Sequence, residues 1–102
     1  MGLTIELQDE FGNARHSVAD RQDQLHGLLP SNDDRSFPML TSIDPYGDTT
    51  FNGKQMDRFL AEWAEISARA NKPEERALVA TIETYARRCQ AEVHLYLKFI
   101  GD

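Results

Sequence analysis

The stretch VHLYLKFIGD, residues 93–102, constrains the fold more than any other part of this chain. Its apolar residues Val93, Leu95, Leu97 and Phe99 alternate with His94, Tyr96 and Lys98. Successive side chains of a β-strand point to opposite faces of a sheet, so this period of two predicts a half-buried strand near residues 94–100. One face belongs to the core, and the other is solvated, covered by an N-terminal hairpin, or used by a partner.

Four further stretches carry strand signals. LTIEL alternates in the same way and predicts a strand near residues 3–8, and ARHSV can return beside it at 14–18 after the turn residues of DEFGN. MLTSI follows Pro38, which can begin a strand, and predicts a strand at 39–43 that pairs with TTF at 49–51. These strands are joined by hairpin turns, so the predicted sheet is antiparallel.

Two longer helices are indicated by their starting residues and by apolar side chains at helical spacing. Asn52 and Gln55 form the capping-box pattern that starts a helix near residues 53–70. Pro73 fits the first turn of a second helix near residues 73–90.

A shorter helix of about two turns fits before the polar loop PSNDDRS. Asp20 can cap this helix, with Asp23 three residues further on, and Gly27 can end it in a left-handed conformation. The patterns therefore predict one α+β domain over residues 1–102. It contains an antiparallel sheet of four to five strands, two longer helices on one face of the sheet and one short helix. They leave the strand order open.

The distribution of charge limits the class of partner. The net charge is −6, and the first fifty residues hold nine acidic residues against three arginines, whereas the second half is neutral. An acidic half is a poor match for a phosphate backbone, so no nucleic-acid partner is expected. It suits a basic partner, although moderate negative charge also serves solubility alone. No apolar run is long enough to cross a bilayer and the start lacks the features of a signal peptide, so we expect a cytoplasmic protein without a membrane partner.

The stretch SIDPYGDTTFN, residues 42–52, raises the question of a metal-binding loop. Its residues Asp44, Pro45, Tyr46 and Gly47 occupy the positions that a type I turn prefers for them. An EF-hand loop needs an oxygen ligand in third place and glycine in sixth, whereas here Tyr46 is third and glycine fourth. Asp44 and Asp48 can share a cation, but two carboxylates beside a turn are more often turn formers. We therefore predict a turn that exposes Tyr46 between acidic residues.

Groups with catalytic or metal-binding chemistry are scattered along the chain. The one cysteine, Cys89, follows two arginines that can activate a thiol, but it lies on the apolar stripe of a helix, and we predict that it is buried. The histidines His16, His26 and His94 form no spacing typical of a zinc site, and no glycine pattern typical of nucleotide binding occurs. The sequence thus predicts no catalytic residue, no cofactor and no metal.

The blocks IDPYGDTTFN, followed by QM and an apolar helix, and HLYLKFIGD resemble those of a group of short uncharacterised bacterial proteins, over nearly the whole chain. This resemblance implies a single domain and carries over no activity and no catalytic residue. Small acidic one-domain proteins also include immunity proteins, which bind and neutralise a co-produced toxin. There the likeness is of size and charge.

We expect a non-catalytic cytoplasmic protein-binding domain, most concretely an immunity-like inhibitor of a basic toxin or of another cationic protein. The candidate partner-binding residues are Asp33, Asp34, Asp44, Tyr46 and Asp48, with the acids steering the partner and the tyrosine acting as anchor. One alternative is a small enzyme or ligand-binding domain, whose sign is a polar cavity where Cys89 or a histidine meets a carboxylate. Another is a structural subunit that self-associates through the Tyr96 face or a sheet edge.

Overall fold

The computed structural model describes residues 2–101, which form a four-stranded sheet and three α-helices. The strands are Thr4–Gln8 (β1), Ala14–Ala19 (β2), Asp48–Phe51 (β3) and Tyr96–Ile100 (β4), and the helices are Gln24–Leu28 (α1), Met56–Arg69 (α2) and Pro73–Ala91 (α3). The predicted fold class is confirmed, with four strands in the sheet, two longer helices and a short one. The terminal residues of the predicted domain, Met1 and Asp102, lie outside the described residues.

The sheet is antiparallel throughout, in the order β2-β1-β4-β3. Its centre is the β1–β4 pair, in which Ile5 lies opposite Phe99 and Leu7 opposite Leu97. These four side chains are completely buried on one face of the sheet. The alternation in the sequence follows from this position, because a central strand with one covered face buries every second side chain.

The last strand starts two residues later than predicted. His94 has a φ of 66°, in the left-handed region, which interrupts the extended backbone before Tyr96. The His94 side chain is exposed, and its Nδ1 lies 3.4 Å from the Glu10 carboxylate in the β1–β2 turn. Tyr96 and Lys98 are half-buried on the face of the sheet opposite the core. The N-terminal hairpin lies in the same sheet as β4, so it does not cover this outer face.

The helices α2 and α3 pack on the buried face of the sheet and on each other. Phe59 and Trp63 of α2 stack with their ring centroids 5.4 Å apart, and Phe59 lies 6.0 Å from the Phe99 ring. The Trp63 Nε1 donates a 3.0 Å hydrogen bond to the carbonyl of Val79 in α3. The apolar stripe of α2 is therefore core, and the one polar atom of the indole is satisfied by the neighbouring helix.

The predicted starts of the longer helices are confirmed. The Asn52 carboxamide oxygen accepts from the N–H of Gln55, and the Gln55 side chain accepts from the N–H of Asn52, at 3.1 and 2.8 Å. A 3₁₀ turn, Gly53–Gln55, then leads into α2. Pro73 opens α3 as predicted. Among residues 2–101 no helix is both long and apolar enough to cross a membrane.

The predicted strand at residues 39–43 is wrong, because Leu40–Ser42 is a 3₁₀ helix. The Glu62 carboxylate on α2 accounts for the difference, since it accepts from the backbone N–H groups of Met39 at 3.1 Å and of Leu40 at 3.0 Å. The two N–H groups that donate to Glu62 cannot also donate to a neighbouring β-strand. β3 pairs instead with β4 and forms an edge of the sheet.

The predicted end of the short helix is also wrong. Gly27 lies inside α1, which continues to Leu28. The next residue, Leu29, is extended with ψ of 149°. Leu29 precedes Pro30, and the residue before a proline is restricted to extended conformations, so the proline sets the end of the helix.

Replacing Glu62 tests whether this carboxylate holds the 37–43 segment on α2. Glu62 is 3% exposed, and it also accepts from Arg58 Nε at 2.9 Å. Glu62→Ala leaves two backbone N–H groups without an acceptor, so we expect the free energy of unfolding in urea to fall by about 3 kcal/mol. Glu65→Ala, at an exposed position of the same helix, is the control and should change it by less than about 0.5 kcal/mol. Equal effects of the two variants would contradict the role given to Glu62.

Candidate functional site

A cleft of about 610 Å³ lies between α1, the segment that follows it and the turn before β3. Leu29 and Pro45 contribute to its mainly apolar walls, and its polar groups come from Asp23, His26, Ser31 and Asn32. Cavities of several hundred Å³ with apolar walls and a few polar groups are typical of binding sites. We refer to this feature as the cleft.

The carboxylate of Asp20 fixes α1 at one wall of the cleft. Its two oxygens accept from the N–H groups of Gln24 and Leu25, each at 2.8 Å, and the residue is 3% exposed. Asp20 therefore satisfies N–H groups that have no partner within the helix, but α1 begins at Gln24 with Asp23 as its N-cap residue, three positions later than predicted. Gly2 packs on the same residue so closely that a Cβ would lie 1.7 Å from the Asp20 carbonyl oxygen. The segment before β1 thus packs on the residue that holds the start of α1.

Asp23 lines the cleft from an unusual backbone conformation. Its φ is 54° and its ψ is 40°, in the left-handed region that Asp and Asn tolerate better than other residues with a Cβ. The Asp23 side chain does not cap α1, a role that Asp20 already fills. The cleft thus has one formally charged residue in its lining, and that charge is negative.

Tyr46 lies at the rim of the cleft, on a turn that is held by several hydrogen bonds. The Asp44 carbonyl accepts from the N–H of Gly47 at 3.3 Å, and the Asp44 carboxylate accepts from the N–H of Tyr46 at 2.9 Å, which confirms the predicted turn. Gly101 donates to the Gly47 carbonyl at 2.7 Å, and a Cβ on Gly101 would lie 2.5 Å from the Pro45 carbonyl oxygen. The turn is therefore fastened to the end of β4. It holds the Tyr46 side chain 76% exposed.

Two of the predicted acidic residues lie in the loop next to the cleft. Asp33 is exposed and accepts from the hydroxyl of Ser31, a lining residue, at 2.8 Å. Asp34 is half-buried and accepts from the N–H of Ser36 at 3.0 Å, which stabilises its own turn. Asp33 is thus placed to add negative charge beside the cleft, whereas Asp34 mainly shapes the loop.

The other two predicted acids flank the Tyr46 turn. Asp44 is exposed, and its carboxylate orients the turn itself. Asp48 is the first residue of β3, and its carboxylate lies 3.4 Å from Lys98 Nζ on the outer face of the sheet. Of the five predicted residues, the structure thus brings Tyr46 into the cleft lining and places Asp33 and Asp44 beside it. Asp34 shapes the neighbouring loop, and Asp48 points to another face.

Sequence reasoning missed Asp23 and His26 as lining residues of a shared cleft. Asp23 was interpreted only as part of a helix cap, and His26 as an isolated histidine. Residues three apart share one side of a helical turn, and this spacing is the signal that could have linked the two. The opposite wall, at Pro45 and Tyr46, is twenty residues further on, so only the tertiary structure shows that it faces them.

The thiol of Cys89 is buried, as predicted. The residue is 1% exposed, and its Sγ lies 3.4 Å from the carbonyl oxygen of Leu95, to which it donates. Burial raises the pKa of the Cys89 thiol to about 11, despite the neighbouring Arg88 in the sequence. Because the thiolate is the nucleophilic form, we expect Cys89 to react slowly at neutral pH.

The three histidines of the chain lie in different places. His26 lines the cleft. His16, on β2, stacks on the Tyr85 ring at 5.9 Å, and its Nε2 lies 2.6 Å from Arg88 Nη1, so this nitrogen acts as the acceptor. His94 lies next to the β1–β2 turn, at the end of the sheet away from the cleft. Within residues 2–101 no group of three or more His, Cys, Asp or Glu side chains is arranged to hold a metal ion.

Comparisons with protein-family models give no match to this chain. Neither curated proteins nor solved structures match it. Support for a function comes from the cleft, its rim and its charges.

The reactivity of Cys89 can be measured directly. We expect native protein at pH 8 to react with iodoacetamide at least about 100-fold more slowly than protein unfolded in urea, because burial blocks access and keeps the thiol protonated. The variant Val93→Cys supplies a matched control, since position 93 is 83% exposed, and its added thiol should react at the rate of a small-molecule thiol. Mass spectrometry of timed samples gives both rates. Equal rates at the two positions would show that Cys89 is accessible.

Proposed function

We propose that this protein is a non-catalytic binding domain that docks a basic protein over the cleft. The observation that carries this proposal is Tyr46, an aromatic side chain left 76% exposed at the rim by a turn with several backbone hydrogen bonds. Exposed aromatic residues of this type contribute a large share of the binding energy in many interfaces. A turn that is already ordered also loses little conformational entropy on binding.

The charge around the cleft supports a basic partner. Residues 20–48 hold six aspartates against Arg21 and Arg35. One of the six, Asp20, is buried in its helix cap, and Asp48 pairs with Lys98 on the outer face of the sheet. The other four reach the surface in or beside the cleft. Acidic residues concentrated in one part of a surface raise the association rate of a cationic partner and disfavour acidic competitors.

The most concrete form of this function is an immunity-like inhibitor that covers a basic toxin, or another cationic protein, in the bacterial cytoplasm. Small size, net negative charge and a rigid exposed anchor suit a protein that acts by occupying a surface. The free, buried thiol of Cys89 agrees with a reducing compartment.

A ligand-binding domain is the second candidate, and the specific observation that favours it is the shared position of Asp23 and His26 in the cleft. A carboxylate and an imidazole in one cavity suit a small polar ligand, and a small enzyme would need the same groups. The two candidates differ in their use of Tyr46. A protein partner needs its ring as an anchor, whereas a small ligand is held by the walls below the rim.

Capture from a lysate of the source cell tests the anchor. Wild-type protein should retain a basic protein in near-stoichiometric amount, and Tyr46→Ala should weaken its binding about 30-fold, the loss typical of an interface anchor. Phe11→Ala is the matched control, since Phe11 is equally exposed, at 80%, in the turn at the other end of β1. Its partner binding should stay unchanged. Retention by Tyr46→Ala at wild-type strength would refute the proposed role of this surface.

The steering acids can be tested with the captured partner. Asp44→Asn combined with Asp48→Asn should slow association several-fold at low salt and reduce its salt dependence, because the attraction is screened over about 10 Å at 0.1 M salt. The control combines Glu65→Gln with Glu74→Gln, two exposed acids on α2 and α3 outside the cleft lining. Stopped-flow rates over a salt series provide the comparison. An association rate like that of wild type would refute steering by these two residues.

A further inference from the structure

The lining of the cleft is mainly apolar and negatively charged. Most of its surface is apolar, the rim carries the ring of Tyr46, and Asp23 is the one formally charged residue among the lining side chains. Arg69 lies close by, where its guanidinium donates to the carbonyl of Leu28, the residue before the lining residue Leu29. Asp33 adds a second negative charge one hydrogen bond away, through Ser31. An occupant that satisfies such a surface has an apolar stem, a flat cationic head and several hydrogen-bond donors.

We propose that the cleft binds an arginine side chain presented by a segment of the partner protein. This inference rests on the proposed function, because it specifies the chemistry by which the same surface recognises a basic protein. The guanidinium group lies against Tyr46 and pairs with Asp23, and the methylene groups of the arginine pack on the apolar walls.

The residues at the rim favour arginine over lysine. A guanidinium group is planar, stacks on an aromatic face and forms two parallel hydrogen bonds to one carboxylate, whereas an ammonium group is a strongly hydrated point charge. Tyr46 offers the exposed ring and Asp23 offers the carboxylate. The hydroxyl of Ser31 and the carboxamide of Asn32 add acceptors for the remaining donors.

The size of the cleft favours a peptide segment over a single isolated side chain. Its volume of about 610 Å³ lies in the range of cavities that enclose a ligand of drug size. One arginine side chain fills only part of that volume, so the residues on either side of it also enter. Leu29 and Pro30 on one wall and Pro45 on the other offer them apolar contacts.

The test compares two small probes that have nearly the same shape and differ in charge. A lysine probe serves as a third comparison. N-acetyl-arginine-methylamide carries the guanidinium group, and N-acetyl-citrulline-methylamide carries a neutral urea in its place. Each is titrated into ¹⁵N-labelled protein and followed by the shifts of the backbone amides. We expect saturable shifts at residues 23–32 and 44–47 with a dissociation constant in the millimolar range for the arginine probe. The citrulline probe should bind at least about 10-fold more weakly, and the corresponding lysine probe should fall between them.

Variants identify the residues that make the contact. Asp23→Asn keeps the left-handed backbone, which Asn tolerates, and should weaken the arginine probe about 10-fold while leaving the citrulline probe unchanged. Glu65→Gln is the matched control, because that exposed carboxylate on α2 lies outside the cleft lining, and it should bind both probes like wild type. Tyr46→Ala should also weaken the arginine probe, and Tyr46→Phe should restore it.

Each contrary result overturns the inference. Equal binding of the two probes, an Asp23→Asn variant that binds arginine like wild type, or shifts confined to the end of the sheet near Phe11 and His94 would show that the cleft is not an arginine site. A basic partner that depends on Tyr46 in the capture experiment, together with failure of the arginine probe, would leave the proposed function standing and remove this inference alone. Binding of the arginine probe at the cleft without a captured partner would support the inference and count against the inhibitor.

Discussion

The pairing of β1 with β4 is the constraint on which the rest of this structure depends. It places Ile5, Leu7, Leu97 and Phe99 on one buried face, and that face supplies the surface on which α2 and α3 pack. β2 and β3 are then added on either side as edge strands. Both walls of the cleft start from this pair, since α1 follows the hairpin that β1 opens and the Tyr46 turn is fastened to the residue after β4. A cleft lined mainly by loop residues is thereby supported by the most deeply buried part of the sheet.

Two buried carboxylates give the long irregular part of the chain its shape. Between β2 and β3, residues 20–47 contain only one short α-helix and one 3₁₀ turn, so few of their backbone donors are satisfied by repeating structure. Asp20 accepts from the N–H groups that begin α1, and Glu62 accepts from those that begin the 3₁₀ turn. Each carboxylate is stabilised by the donors around it, which is the condition for burying a charge. Acidic residues therefore act in two ways here, as internal fasteners of the loops and as exposed charge around the cleft.

Patterns confined to one element predicted most of the fold. The alternation in β1 and β4, the Asn52–Gln55 capping box and Pro73 at the start of α3 are local signals, and the structure has the elements that they indicate. The segment at residues 39–43 was predicted wrongly because its conformation is set by a side chain more than twenty residues away, on another element. Prediction of the site is limited in the same way, because its residues are far apart in the sequence. Exposure of Tyr46 follows from its turn, whereas the meeting of Tyr46 with Asp23 and His26 depends on how α1 sits against the sheet.

The central strand pair is expected to form late in folding. Ile5 and Phe99 are 94 positions apart in the chain, and closing such a long loop is entropically slow, whereas α2 and α3 are neighbours joined by a short connection. The helical pair and the β1–β2 hairpin can form from local contacts, and the sheet becomes complete only when β4 enters between β1 and β3. Until then Gly101 has no Pro45 to pack on and the Tyr46 turn is unsupported. A partly folded chain therefore lacks the cleft with its rim, so the proposed recognition of a partner requires a molecule that has finished folding.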